Sequence, residues 1–79
     1  MRAKVSGQVM EVKPEFDENK NRLATVTAMI FQKGERNLLT IKKVPSEVVE
    51  EGHAIDDLPV RASSYNFNGN FGMSVIYVD

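Results

Sequence analysis

Residues 60–78, VRASSYNFNGNFGMSVIYV, decide the fold, because an Asn-Gly pair stands between two alternating segments. Asn68 and Gly69 are the residues that a two-residue type I′ hairpin turn favours, since both of its central positions need a positive φ. Such a turn fixes the register of the hairpin and places Arg61 opposite Ile76. The two strands of this predicted antiparallel hairpin are Pro59–Phe67 and Phe71–Val78.

The two faces of this hairpin differ in character. One face is predicted to be core and carries Val60, Ala62, Ser64, Met73, Val75 and Tyr77. The other face is mainly polar but holds two rings, Tyr65 and Phe67, with Arg61 beside them. Rings at positions that alternation leaves in water are candidates to stack on a ligand. The alternative is structural: Tyr65 covers the bare backbone at Gly72, or both rings lie under a loop or in a dimer interface.

A second hairpin is predicted upstream, from the strands Leu23–Lys33 and Asn37–Val44 joined at Gly34-Glu35. Its core face carries Val26, Ala28, Ile30, Leu39 and Ile41. Its other face carries Phe31 among the basic residues Lys33, Arg36 and Lys42. A single-stranded nucleic acid needs cations for its phosphates and a flat ring on which a base can stack. The alternative is a hairpin buried on both faces, with Met29, Phe31 and Leu38 in a second layer or a dimer contact.

The remaining segments complete a set of five strands. The first strand, Arg2–Lys13, is expected to contain a β-bulge, because its apolar residues change phase, and to end at Pro14. Gly7 within it indicates a sharp bend of the kind that closes a barrel. Ser46 as an N-cap and Gly52 as a stop predict a short helix. The predicted architecture is an all-β, five-stranded antiparallel barrel with one short helix between strands 3 and 4.

Length and composition indicate one domain, residues 1–79, because 79 residues are about half the length of an ordinary domain. Hydrophobic residues make up 42% and charged residues 27%, which excludes a disordered chain. Without cysteine the small core has no disulfide to support it, so a homodimer is expected. No apolar run resembles a signal sequence or a membrane span, so the expected location is cytoplasmic, with no membrane partner.

The formal net charge is −1, but the charges are segregated along the chain. The region between Pro45 and Pro59 holds no Lys or Arg and five acids, which are Glu47, Glu50, Glu51, Asp56 and Asp57. All 10 basic residues lie elsewhere. A basic surface can therefore coexist with an acidic lobe, residues 47–57, which is a candidate surface for a protein partner. The alternative is two solvated faces of a soluble domain.

The element order, the bulged first strand with its glycine and the two hairpins together resemble the OB-fold. Within that fold, the chain resembles the small single-domain single-stranded DNA-binding proteins of bacteriophages and mobile elements, of the filamentous-phage gene V type. The resemblance covers the whole chain as an order of elements and includes no residue motif. It implies a dimeric barrel that coats single-stranded DNA during DNA replication with little sequence preference, through its hairpins and the loop between strands 1 and 2.

Carried over position by position, the resemblance assigns nucleic-acid contacts to eight residues, which are Phe16, Lys20, Arg22, Phe31, Lys33, Arg36, Tyr65 and Phe67. The hairpin faces add Lys42 and Arg61 as further candidate phosphate contacts. The rings stack on bases and the basic side chains contact phosphates. The acids Glu15, Asp17 and Glu18 depart from this pattern in the first loop.

The side-chain inventory argues against an enzyme, because the chain has no cysteine, one histidine and no GxxxxGK phosphate loop. His53 lies near four acids, but the spacing matches no metal motif, and neither a metal nor another cofactor is assigned. Two classes of function remain. The first is a non-catalytic single-stranded DNA-binding protein, with RNA as a variant because stacking does not distinguish the sugar. The second is a small β-barrel interaction module, for instance a phage-type modulator of a host protein.

Overall fold

A computed structural model describes residues 2–78, and within them the side chains of Tyr65, Asn66, Phe67, Asn70, Phe71 and Met73 lie outside the description. The chain forms five strands, and no helix occurs among the described residues. Their bounds are β1 Arg2–Phe16, β2 Arg22–Phe31, β3 Leu39–Pro45, β4 Ala54–Phe67 and β5 Asn70–Tyr77. In the described part of the chain there is accordingly no helix with the length and apolarity to cross a membrane.

The five strands form one closed sheet in the order β1-β2-β3-β5-β4. Strands β4, β1, β2 and β3 lie side by side in the order 4-1-2-3, which is a Greek key. The all-antiparallel prediction is wrong at one pair, because β3 and β5 run parallel, with Lys42 opposite Ile76. Parity requires this exception, since a closed ring with an odd number of strands cannot alternate direction at every pair.

The core follows the predicted alternation along β2, but Ser64, which was predicted to face the core, is exposed. Ser64 lies beyond Arg61, the last residue of β4 that pairs with β1, so it is outside the closed part of the sheet. Ile30, Ile41 and Val9 are fully buried, and the other members of the cluster are Val5, Val26, Ala28, Val44, Val49, Leu58, Val60 and Val75. Branched aliphatic residues dominate it, as expected for side chains that fill the inside of a small closed sheet. No polar or charged residue with a described side chain is buried.

Strand β1 is bent, which lets it pair with β4 through its first half and with β2 through its second half. The predicted bulge after Val9 is confirmed, because Val9 pairs with Ile30 and Glu11 with Met29, leaving Met10 as the extra residue. Gly7 lies at the bend. A Cβ there would contact the carbonyl oxygen of Phe31 and approach the Ile30 Cγ2 atom to 2.8 Å, so only glycine fits.

The strand boundaries predicted at Pro14 and at Pro59 are both wrong. β1 continues through Pro14, which pairs with Val26. At that point β1 pairs with β2 only, so the other side of the strand is open. A proline, which has no N–H to donate, is tolerated on such an open edge. β4 begins at Ala54 rather than Pro59. Its first half contains a bulge at Asp56 and Asp57, opposite one residue of β1, which breaks the alternation in the sequence.

The short helix predicted after Ser46 is absent, and two turns replace it. Gly52 N donates to Val9 O and Val9 N donates to His53 O, both at 2.8 Å, so this segment satisfies its backbone against β1 instead of within a helix. The Glu51 side chain also accepts a hydrogen bond from Val12 N at 2.9 Å. Val49 is buried between the turns and joins the core.

The last hairpin is confirmed in full register, from Phe67 opposite Asn70 to Arg61 opposite Ile76. Asn68 has φ 52° and Gly69 has φ 80°, as a type I′ turn requires. The loop between β2 and β3 is longer than the predicted Gly34-Glu35 turn, because the strands end at Phe31 and resume at Leu39. Its turn closes one residue earlier, with Glu35 N donating to Gln32 O at 3.1 Å.

Candidate nucleic-acid interface

The outer face of β2 and β3 is the first part of the candidate site. Thr25, Thr27, Met29 and Phe31 alternate with the buried residues of β2 and therefore point away from the core. Phe31 is 43% exposed. The alternative in which this hairpin is buried on both faces does not hold within one chain, and the Phe31 ring is accessible to a ligand.

A β-bulge in β3 places two lysines on this face. Val26 pairs with Val44 and Ala28 with Ile41, so Lys42 and Lys43 together lie opposite Thr27. Lys43 adopts a left-handed backbone conformation with φ 59°, and both lysines are exposed. The bulge thus brings two cations side by side where a regular strand would turn the second one inward.

Glu15 on β1 reaches across β2 and anchors the bulge in β3. One of its oxygens accepts a hydrogen bond from Thr25 Oγ1 at 2.6 Å. The other accepts from Thr27 Oγ1 at 2.8 Å and from Lys43 N at 3.0 Å. Burial by itself raises the pKa of Glu15, but the bonds from Thr25, Lys43 N and Thr27 and the charge of Lys43 outweigh burial and lower the pKa. This acid therefore has a structural role.

An exposed apolar pair lies beside the lysines. Phe16 is 56% exposed and Leu23 is 41% exposed. Together with Thr27 and the Lys42–Lys43 bulge they line a shallow cleft of about 360 Å³, with Glu15 also in its lining. A flat ring at the rim of a cleft that carries two cations is suited to hold a base against Phe16 and a phosphate near the lysines.

The loop between β1 and β2 is ordered by its own acid. Asp17 Oδ1 accepts hydrogen bonds from Asn19 N at 2.9 Å and Asn21 N at 2.8 Å. Lys20 sits at the tip with φ 64°, and Arg22 pairs with Phe16 where β2 begins. Asp17 thus builds the turn that presents Lys20 and Arg22.

The predicted contacts with described side chains fall into four groups. Phe16, Lys20 and Arg22 lie at one end of β2, whereas Phe31, Lys33 and Arg36 lie at or beyond its other end, about 30 Å away at 3.3 Å per residue. Lys42 lies between them on β3. Arg61 is on β4, opposite Arg2, outside the β2–β3 face.

The side chains of Tyr65 and Phe67 lie outside the described residues, so their predicted role stays a prediction. The sequence analysis missed Lys43 and Leu23. A signal for Lys43 was present, because the buried residues Ile41 and Val44 are separated by two residues, which breaks strict alternation.

The acidic lobe, residues 47–57, makes hydrogen bonds to β1 through two of its acids. Glu51 binds the backbone of β1, and Asp56 Oδ1 accepts from Ser6 Oγ at 3.0 Å. His53 Nδ1 lies 3.7 Å from Glu50 Oε2 on the surface. Among the described side chains, no three metal-ligating groups converge. Neither a family model nor a curated protein nor a solved structure matches this chain.

Proposed function

We propose that this chain is a non-catalytic single-stranded DNA-binding protein with an OB-fold-like barrel. The observation that carries the proposal is the outer face of β2 and β3. Exposed Phe31 ends β2, exposed Phe16 on β1 lies beside the start of β2, and Lys42 and Lys43 on β3 lie opposite its middle. A five-stranded Greek-key sheet that closes on itself is the architecture in which the β2–β3 face binds oligonucleotides. The proposal includes a homodimer as the binding unit.

The physical case rests on matching each feature to a part of the ligand. Exposed rings offer a stacking surface to bases that a duplex would keep paired and stacked inside, so the face favours single strands. No described carboxylate lies within ion-pair distance of either lysine, so both ammonium groups can contact phosphates, and only Lys43 also interacts with the charge of Glu15. Neither contact reads a base edge, which gives little sequence preference.

The proposal predicts that Phe31→Ala weakens binding of a fluorescein-labelled single-stranded oligonucleotide by about 1–3 kcal/mol, the value of one stacked base. Folding should change little, because Phe31 is 43% exposed. Fluorescence anisotropy measures the affinity, and thermal denaturation by circular dichroism measures the fold.

Val48→Ala is the matched control, because Val48 is 39% exposed and lies in the turns between β3 and β4, away from this face. It should leave the affinity unchanged. A Phe31→Ala variant that keeps full affinity, or that loses its fold, would show that Phe31 does not stack on a base.

A second candidate function is an interaction module that binds a protein through the acidic lobe. The observation in its favour is the exposed Val48 between the exposed acids Glu47 and Glu50. An apolar side chain surrounded by carboxylates suits a basic, partly apolar partner surface. Under this function the chain binds no oligonucleotide at low salt. Phe31→Ala and Val48→Ala then give the same result in the fluorescence anisotropy assay.

A further inference from the structure

The pairing registers connect basic residues on β1, β3 and β4 into one lateral row that crosses β2 at Thr27 and β5 at Ile76. Lys13 on β1 pairs with Thr27 on β2, and Thr27 faces the Lys42–Lys43 bulge on β3. Lys42 pairs with Ile76 on β5, Ile76 with Arg61 on β4, and Arg61 with Arg2 on β1. We call this set the basic row: Arg2, Lys13, Lys42, Lys43 and Arg61.

The row follows the hydrogen-bonding direction once around the closed sheet. Because the strands are staggered, it starts on β1 at Lys13 and returns to β1 at Arg2, near the other end of that strand. Directly paired residues lie on the same side of a sheet, and all five basic residues are exposed. Five steps of about 4.8 Å give a path of about 24 Å.

The cations of the row are mostly unpaired, although the charge of Lys43 interacts with Glu15 beyond ion-pair distance. Among the described side chains, the only carboxylate within ion-pair distance of any of them is Glu11, 3.9 Å from Lys13, and both of these side chains are about half exposed. Such a surface pair contributes little. The nearest acid on β4, Asp57, precedes Arg61 by four residues, about 13 Å, which exceeds the screening length at physiological salt.

We infer that one single strand of DNA runs along the basic row, leaving the β2–β3 face and crossing β5 to reach Arg61 and Arg2. This inference rests on the proposed function and extends its site to the opposite side of the molecule. A path of about 24 Å is long enough for several nucleotides, and an OB-fold protein binds about 4–16 nucleotides. The row gives a reason for Arg61, which the β2–β3 face alone does not include.

The test compares Arg61→Gln and Arg2→Gln, singly and combined, with wild type on oligo-dT of about 4 and about 16 nucleotides, the limits of that site size. The short oligonucleotide fits on the β2–β3 face, so its affinity should not change. The long oligonucleotide should bind the double variant about 20-fold more weakly than wild type at 0.1 M salt. The variant loses two phosphate contacts, and each contact contributes about 0.7 to the log-log salt slope. Each single variant should flatten the slope by about 0.7.

Lys4→Gln is the matched control, because Lys4 is exposed on the same strand as Arg2 but pairs with Pro59, off the row. It should leave the salt slope unchanged. An equal loss of affinity in Lys4→Gln and Arg2→Gln would overturn the row, because it would show that only the general positive charge of the surface attracts DNA. Full affinity of the double variant for the long oligonucleotide would also overturn it, while a loss in Phe31→Ala would keep the proposed function. Failure of wild type to bind either oligonucleotide would reject both.

Discussion

At the scale of single residues, Glu15 shows how an acid can support a basic surface. Its carboxylate receives two hydroxyl donors and the backbone N–H of Lys43, which is held at a positive φ. Judged by charge alone, Glu15 opposes the binding of DNA. Judged by its contacts, it fixes the bulge that presents Lys42 and Lys43 together, so we expect it to support the proposed interface.

We therefore expect Glu15→Gln to lower the free energy of unfolding at pH 7 by about 1–2 kcal/mol, because bonds to a charged acceptor are worth more than bonds to an amide. The pKa of Glu15 is lowered in the folded chain, so the carboxylate stabilises the fold fully above the unfolded pKa of about 4.3. That contribution is lost as the pH falls through the folded pKa. Urea denaturation at pH 7 and at pH 3 measures both values.

Glu18→Gln is the control, because it removes the same charge from an exposed loop position three residues away. It should change the stability little at either pH. A Glu15→Gln variant that matches Glu18→Gln at pH 7, or whose deficit persists undiminished at pH 3, would show that the carboxylate does not hold the bulge.

At the scale of elements, the bend of β1 decides whether five strands can close. Gly7 lies where β1 exchanges β4 for β2 as its partner, and the Phe31 carbonyl occupies the place of a side chain. The blocking atom belongs to the backbone of β2 and not to a flexible side chain. A Cβ at residue 7 could therefore be accommodated only if β1 and β2 moved apart. The same bend brings the start of β1 beside Arg61.

Gly7→Ala is accordingly expected to destabilise the fold by about 1–3 kcal/mol, the range for overpacking a tight site. Thermal denaturation measures the loss. Ser6→Ala serves as the comparison, since Ser6 is exposed and its hydroxyl bonds are on the surface, so it should cost less. Equal midpoints for Gly7→Ala and wild type would mean that β1 is not packed closely against Phe31.

The elements also show how far the sequence could predict this structure. Asn68-Gly69 gave the register of the last hairpin, because a turn with two positive φ values is encoded in two adjacent residues. The helix after Ser46 was predicted wrongly, because local signals do not reveal that Val9 offers its backbone to residues 52 and 53. Non-local hydrogen bonds decided that segment.

The candidate site, too, was predictable only where the local sequence determines it. Phe16 and Phe31 are exposed as alternation and loop position suggested. The neighbourhood of Arg61 was not predictable, because it depends on how β4 pairs with β1 across more than 50 positions in the sequence. The bulge at Lys42–Lys43 left a signal in the sequence, the two-residue gap between Ile41 and Val44, but its position opposite Thr27 depends on the partner strand.

At the scale of the whole molecule, the net charge of −1 hides a segregation of charge. The acids of the lobe between residues 47 and 57 lie mostly in the turns between β3 and β4, and the basic row circles the sheet. Local fields rather than the net charge attract a polyanion over the screening length of about 8 Å. A chain that looks neutral can therefore bind phosphates along one path.

The central claim, binding of single-stranded DNA, is tested most directly by fluorescence anisotropy of wild-type protein. Labelled single-stranded and duplex oligonucleotides of the same sequence are titrated at about 50 and 200 mM salt, the range over which phosphate contacts weaken. We predict tighter binding to the single strand, with a log-log salt slope of about −0.7 for each phosphate contacted. Equal affinity for the duplex, or no binding to the single strand at the lower salt, would contradict the claim.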